Sequence, residues 1–298
     1  MNIALIPNRG KSDAIEAAVR LREIIAQRLA AGPAGSVSII PELRRDVLDE
    51  LRPDLIVVLG GDGSMLSAAQ VIAGMCTPVV GINFGKLGYL AAFTPEEFLE
   101  HLDLILTVRA PRTERLMLHA AVHTWPRRGT TAVQPLAELQ FMPPRASGVA
   151  LNDIVLNAGE PFRMIELEVQ IDEQRTTTFR ADGLVISTAS GSTGYNLSAG
   201  GPLISPSLAA MVLSPICPHT LSFRPVVIPA DSAILVCPHR LNPGSRVSFD
   251  GQMNFTISED ECVLVRRAKT CFTLIENPKI THWQMLAQKM HWAQNPRH

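Results

Sequence analysis

Neither sign of charge dominates this chain: 27 Lys and Arg stand against 28 Asp and Glu in 298 residues. That balance excludes the basic footprint of a nucleic-acid binder, so any polyanion must be met by local geometry. Long apolar runs are also missing. Each is broken by Gly, Pro or a polar residue well short of the roughly 18 that a spanning helix needs. Pro7 comes too early for a signal-peptide apolar region. The expectation is a soluble, cytoplasmic protein that contacts neither membrane nor nucleic acid. Cysteine is sparse and unpatterned: Cys76, Cys217, Cys237, Cys262 and Cys271 are odd in number and include no CxxC. A disulfide framework and a zinc knuckle are therefore not suggested, no metal-ligating residues stand out, and a reducing compartment fits. There is no internal repeat.

What is present is globular: 46% hydrophobic and 18% charged residues, in a chain long enough for about two domains of ~100–200 residues. Asn2 to Ile6 reads as a strand. Ser12 then caps a helix with Ile15, Val19, Ile25 and Leu29 near one face, ended by Gly32. Strands are expected at Val37–Ile40, Leu55–Leu59 and Val79–Asn83, and helices at Glu42–Leu51 and Ser64–Ala73. Thr94-Pro95-Glu96-Glu97 opens a further helix with a cap, an N1 proline and acids matched to the dipole. This alternation predicts an α/β N-terminal domain with a doubly wound parallel sheet. From Arg112 the segments turn strand-like: Leu118–Thr124, Val149–Leu156, Ile165–Ile171, Leu184–Ser187, Ile234–Cys237, Arg246–Phe249, Val263–Val265 and Phe272–Ile275. They predict a β-rich C-terminal domain. Trp125–Ser147, with four prolines and little period, reads as a mobile loop or insertion. Thr281–Trp292 reads as an amphipathic helix returning to the first domain. The expected division is 1–110 joined by 276–298, and 111–275.

Three clusters carry chemistry. Gly60-Gly61-Asp62-Gly63-Ser64 follows the apolar strand Leu55–Leu59 and opens a helix, the position at which open α/β sheets bind ligands and glycines let amides approach phosphate. Asp62 is anomalous there. A carboxylate repels phosphate unless it holds a metal ion or accepts a proton from an attacking hydroxyl; the plainer alternative is an Asx-type turn. The second cluster, Arg180 to Pro202, is rich in Gly, Ser and Thr around Tyr195, a set suited to a sugar-phosphate and a base unless it is a flexible linker. The third is Asn152-Asp153, a polar pair interrupting an apolar stretch. It suits ribose hydroxyls, or marks a bulge or strand-end turn.

Together these clusters resemble the NAD kinase family, with its GGDG turn, Asn-acid pair and TGSTAY-like loop. The likeness extends to Gly81-Ile-Asn-Phe-Gly-Lys-Leu-Gly-Tyr-Leu90, to Pro215-Ile-Cys-Pro-His-Thr-Leu-Ser-Phe-Arg-Pro225 and to Asp250-Gly-Gln252, so ordered matches run from about residue 55 to 252. The resemblance implies transfer of a phosphoryl group from ATP to the 2′-hydroxyl of the adenosine ribose of NAD, giving NADP. A divalent metal, expected to be Mg²⁺, would accompany the ATP, and the protein would be a homodimer or homotetramer. Asp62 resembles the catalytic aspartate and Gly63 its neighbour at the dinucleotide. Asn152 and Asp153 resemble the acceptor-nucleotide pair, and Arg163, Arg180 and Asp182 fall at further binding positions. Thr193, Gly194, Tyr195, Asn196, Leu197 and Ser198 match the loop that encloses the nucleotide, and Gln252 matches the glutamine after the late Asp-Gly. Ser64, Ser190 and Gly194 stand where the family has Thr, Thr and Ala.

Two other readings remain. Sugar-phosphate and lipid kinases share a GGDG turn, but the former should carry extra basic residues and a second acidic segment, and the latter an apolar membrane-facing patch. A non-catalytic NAD(P)-sensing module would have little use for Asp62.

Overall fold

The computed structural model describes residues 1–30, 35–107, 109–124, 136–139, 141–220 and 222–290. Two compact units make up the chain, Met1–Glu114 with Phe272–His298, and Arg115–Cys271.

In the first unit strands and helices alternate: β1 (Asn2–Pro7), α1 (Ser12–Ala30), β2 (Ser36–Ile39), α2 (Arg45–Leu51), β3 (Leu55–Leu59), α3 (Asp62–Ile72), β4 (Val79–Ile82), α4 (Pro95–Glu100) and α5 (Leu102–Leu106). The strands lie in the order β2-β1-β3-β4, all parallel. With β2 on one side of β1 and β3 on the other, successive crossovers leave in opposite directions, which is the doubly wound arrangement. Strands β3 and β4 are buried along their whole length, as strands covered on both faces must be.

Helix α1 presents a different face from the one its large aliphatic residues suggest. Ile15 and Val19 are each 43% exposed, while Ala14, Ala17, Ala18, Leu21, Ile25 and Leu29 are buried. Three alanines let the helix axis approach the sheet closely, and that fit outweighs the area Ile15 and Val19 could have hidden. Gly32 lies outside the described residues.

Helix α4 starts as its sequence suggests. Glu97 donates its amide to Thr94 Oγ1 (3.2 Å), and the Thr94 amide returns a bond to Glu97 Oε2 (3.1 Å). Asn277, from the returning chain, donates to Glu97 Oε2 (3.0 Å) and to the Ala92 carbonyl (2.8 Å).

Strand and helix labels continue in the second unit with β5 (Arg112–Thr124), α6 (Leu136–Leu139), β6 (Ala146–Ala150), β7 (Asp153–Asn157), β8 (Ile165–Ile171), β9 (Gln174–Ala181), β10 (Gly183–Thr188), α7 (Tyr195–Ser198), β11 (Ala210–Ile216), β12 (Val226–Pro229), β13 (Ile234–Arg240), β14 (Arg246–Phe249), β15 (Met253–Thr256) and β16 (Glu261–Ile275). A six-stranded antiparallel sheet runs β12-β11-β10-β7-β14-β15. Strands β16, β13, β8 and β9 pair in that order in a second sheet, and β5 pairs with β6. Ile154, Leu184, Ile186 and Phe249 of the first sheet share one buried cluster with Leu167, Val169, Ile234 and Val263 of the second. Alternation along each strand sends these residues to a common interior. After β16 the described residues close with α8 (His282–Met290).

Several elements differ from their sequence expectation. Val149–Leu156 is two strands, broken at Leu151-Asn152. Conversely, the segments Val263–Val265 and Phe272–Ile275 belong to one strand of 15 residues; outward Arg267 and Lys269 flank inward Ala268 and hid its continuity. Of Trp125–Ser147, residues 125–135 and 140 lie outside the described residues, whereas Leu136–Leu139 is helical and Ser147 pairs with Ala121. The expected terminal helix is described from His282 to Met290.

The reciprocal cap of α4 gives the first prediction. Thr94→Ala removes one half and should lower unfolding free energy by about 1 kcal/mol in urea titration. An unchanged midpoint would show that the bonds from Asn277 hold the turn without it.

Candidate active site

The end of β3 builds the first half of the chemistry. Its apolar residues lock the strand in the sheet, and the chain leaves through Gly60 and Gly61 into α3, whose first residue is Asp62. Beside it, the Asn8 amide after β1 donates to the Leu59 carbonyl (2.8 Å), and Asn8 Nδ2 donates to Ser64 Oγ (2.8 Å). Strands β1 and β3 are where the crossover direction reverses, the location at which such sheets bind ligands. No side chain caps α3, and the amides of Asp62 and Gly63 meet no acceptor among the described residues. A Cβ built on Gly63 has nothing within 4 Å. Gly63 is exposed, and the contacts of the fold do not require a glycine there.

Asp62 is held in place. Oδ1 accepts the amides of Leu90 (3.0 Å) and Ala91 (2.9 Å), and Oδ2 accepts that of Tyr89 (2.8 Å). The segment from Gly81 to Ala91 thus has a structural part that its sequence did not reveal: its end presents three successive amides to Asp62. Gly88 makes the approach possible, since a Cβ there would overlap the Asp62 carboxylate. An ionised carboxylate offers about four lone-pair positions; the three amides leave one, on Oδ2. Lys289 Nζ of α8 stands 3.9 Å from that oxygen and 4.7 Å from the centroid of the Tyr89 ring. Burial, and then the Asp62 charge, raise the Tyr89 phenol above its ordinary pKa, and its hydroxyl is buried without a hydrogen-bond partner.

The second unit repeats the device. Asp250 Oδ2 accepts the Leu151 amide (2.7 Å), and Oδ1 accepts those of Asn152 (2.7 Å) and Asp153 (3.0 Å). The Asp250 amide in turn donates to the Asp153 carbonyl (2.9 Å). Asp250 and Gly251 both have left-handed backbones, φ 50° and 67°, which bend the chain around the Leu151–Asp153 turn. Gly191 packs against the Asn152 backbone so closely that a Cβ would overlap it, and Thr188 ties both sides together through Oγ1 to the Leu151 carbonyl (2.7 Å). Gly194 lies alongside Asn152 and Asp153: a Cβ there would meet Asn152 Nδ2 at 3.5 Å and Asp153 Oδ2 at 3.8 Å.

The Asp153 carboxyl is buried, and no hydrogen bond from the described residues reaches its side chain. Burial, reinforced by the charge of Asp250, pushes its pKa up to about 7. Burial also raises Asp250, to about 6, against the opposing pull of its three amides. A buried carboxyl without a hydrogen bond among the described residues is a candidate for a functional site.

The other expected residues divide. Thr193 is half-buried, and Tyr195, Leu197 and Ser198 are exposed on and beside α7. Asn196 is turned inward: Nδ2 donates to the Ser192 and Pro202 carbonyls (3.2 and 3.0 Å), and Oδ1 accepts from Ser214 Oγ (2.7 Å). Its side chain closes the loop and offers nothing outward. Gln252 is exposed two residues after Asp250. Asp182 is half-buried, its amide bonded to the Ile216 carbonyl. Arg163 and Arg180 share no hydrogen bond with the Asn152 turn. Arg163 is exposed, while Arg180 pairs with Glu166 (2.6 Å) and lines a cleft of about 270 Å³ with His219 and Thr220. Sequence reasoning did not connect Asn8, Asp250 or Lys289 with these turns. The switch-point rule could have found Asn8, and the Asp-Gly pair hinted at Asp250.

An uncapped helix start at the switch point of a parallel sheet, with a fixed carboxylate in its mouth, suits the class of phosphotransferases. Comparison narrows the class. The profile of the ATP-NAD kinase N-terminal domain matches residues 40–110, and that of the ATP-NAD kinase C-terminal domain matches residues 151–277. The chain is 34% identical to the NAD kinase of Azoarcus sp. over 100% of its own length and 98% of the relative's. It is 39% identical to that of Syntrophotalea carbinolica, over 81% and 79% respectively. Among solved structures, an NAD kinase from Archaeoglobus fulgidus in complex with ATP superposes with a TM-score of 0.71 at 25% identity, covering 94% of this chain and 95% of that one. Yeast NADH kinase complexed with NADH shares the fold, with a TM-score of 0.80 at 22% identity over 100% and 89%. The chain belongs to the NAD kinase family.

Two predictions follow from this geometry. Gly63→Ala should leave the protein folded and raise its stability by up to about 1 kcal/mol, because alanine favours the first turn of α3 over glycine. The same methyl should cut phosphotransfer, because it occupies the open space; undiminished kcat would show that the space is unused. Asp153 has a folded pKa above its unfolded value, so its contribution to stability is present below about pH 4 and lost as pH rises to about 7. Asp153→Asn should therefore stabilise the protein at pH 8, by on the order of a few kcal/mol, and not at pH 4. Equal effects at both pH values in chemical unfolding would contradict the burial of an uncompensated charge.

Proposed function

We propose that the chain transfers the γ-phosphoryl group of ATP to the 2′-hydroxyl of the adenosine ribose of NAD, giving NADP, with Asp62 accepting the hydroxyl proton. The observation that carries this reading is the fixed Asp62 carboxylate, with one lone-pair position left on Oδ2 at the mouth of α3. Phosphoryl transfer is mostly positioning and charge stabilisation. The uncapped start of α3 and the open Gly63 supply donors and room for phosphate oxygens. Asp62, unable to swing away from three amides, is ready for the proton once the P–O bond has largely formed. A binding module would have little use for a carboxylate with a free lone pair beside phosphate.

Asn152 and the buried Asp153 hold hydroxyls of the acceptor nucleotide: Asn152 donates and accepts, and Asp153 offers a carboxyl without a protein partner. Thr193, Gly194, Tyr195, Leu197 and Ser198 enclose the nucleotide, with the exposed Tyr195 ring against a base face. Asn196 acts through its inward bonds. Arg163, Arg180, Asp182 and Gln252 are further contacts. The same reading keeps 1–110 and 276–298 as one domain and 111–275 as the nucleotide-binding domain, in a cytoplasmic homodimer or homotetramer.

Among the described residues no group of three or more His, Cys, Asp or Glu could hold a metal ion. Mg²⁺ carried on the ATP phosphates would be held chiefly by those phosphates and water, since such an ion typically takes only one or two protein carboxylates. There it would neutralise phosphate charge.

The test is NADP formation from NAD and Mg-ATP by wild-type protein and Asp62→Asn. The variant should fold and bind NAD within about tenfold of wild type, with kcat lowered by about 10²–10⁴-fold. Retention of more than about a third of wild-type kcat would remove Asp62 from the role of base.

A further inference from the structure

The last helix of the chain brings a lysine to the glycine turn. In α8, Met285 and Leu286 are buried. Lys289 lies three and four residues further on, so it shares their face. Burying that face carries the ammonium to Asp62 and Tyr89, yet neither neighbour consumes its donors. The 3.9 Å separation from Asp62 Oδ2 is beyond hydrogen-bond range, and the Tyr89 ring attracts the charge without fixing any N–H. No hydrogen bond among the described residues uses Lys289 Nζ, which leaves three donors uncommitted.

An ion pair between side chains 29% and 32% exposed is a weak reason to order a long, flexible lysine. A different need exists at that point. A phosphoryl group arriving beside Asp62 brings negative charge next to a carboxylate that three amides prevent from moving away. The group in transfer must be flanked by positive charge. Lys289 is already there, held over a ring that lets it pivot.

We propose that Lys289 is a phosphate-binding residue for the donor nucleotide: its ammonium rests near Asp62 in the free protein and turns to the transferred phosphoryl oxygens when ATP binds. That turn also clears the one lone-pair position of Oδ2 for the acceptor hydroxyl. The inference rests on Asp62 being the base of the NAD kinase reaction, which fixes where the phosphoryl group must lie.

The experiment measures ATP affinity by calorimetry without NAD, NAD affinity without ATP, and steady-state kinetics, for wild type, Lys289→Ala, Lys289→Gln and Lys289→Arg. Loss of the cation in Lys289→Ala and Lys289→Gln should weaken ATP binding and lower kcat by about tenfold or more each. NAD affinity should stay within about twofold, and Lys289→Arg should recover at least about a third of kcat by restoring the charge. The Gln variant keeps most of the stem, so it separates lost charge from lost packing if the Ala variant melts early.

Wild-type ATP affinity in both neutral variants overturns the proposal. So does a rise in kcat, which would make α8 an inhibitory strap. A change confined to the pH profile would make Lys289 only a positioning partner of Asp62 and would also overturn it. The two ideas fail separately. If Asp62→Asn keeps its turnover while the neutral Lys289 variants lose ATP, the base assignment falls and the phosphate contact stands; the reverse pattern removes Lys289 alone.

Discussion

A carboxylate gripped by three successive backbone amides occurs in each unit, and the shape of the turn beside it depends on that grip. Asp62 gathers the amides of Tyr89, Leu90 and Ala91; Asp250 gathers those of Leu151, Asn152 and Asp153. Three consecutive N–H groups converge on one point only when the chain turns tightly, and such turns leave the donors without strand or helix partners. The carboxylate supplies the acceptors, and the turn becomes a rigid object. In the first unit the gripped group is itself the proposed proton acceptor. In the second it is the support, and the turn it fixes carries Asn152 and Asp153.

The glycines separate along the same line. At Gly88 and Gly191 a side chain would overlap Asp62 and the Asn152 backbone, so the missing Cβ is required by the fold of the grip. At the exposed Gly63 nothing of the protein lies within 4 Å, so the fold does not require the missing Cβ there. Burial does comparable sorting among acids. Asp250 is buried with three amides on its carboxylate, whereas the buried Asp153 carboxyl meets no hydrogen bond among the described residues, which leaves it the greater capacity for an outside partner.

Much of this was legible in the sequence because it is local. The apolar run Leu55–Leu59 followed by two glycines fixes a strand, a turn and a helix start within ten residues, and the Thr94 cap is equally self-contained. Asn152-Asp153 stood out because polar residues interrupt an apolar stretch, and the structure makes the interruption a turn between β6 and β7. The grips were not legible. They join residues 27–29 and 97–99 positions apart through backbone amides, which have no sequence identity. Lys289 reaches Asp62 through the packing of a helix at the other end of the chain. The inward face of α1 was misread because close packing of small alanines prevailed over the larger side chains.

The central claim is that the Asp250 grip exists to aim the Asn152–Asp153 turn at the acceptor nucleotide, and calorimetric NAD affinity of Asp250→Asn tests it most directly. The amide of Asn leaves one oxygen for three N–H groups, so the turn should loosen and NAD affinity should fall by about tenfold or more while the protein remains folded. Wild-type NAD affinity in a folded Asp250→Asn variant would contradict the account.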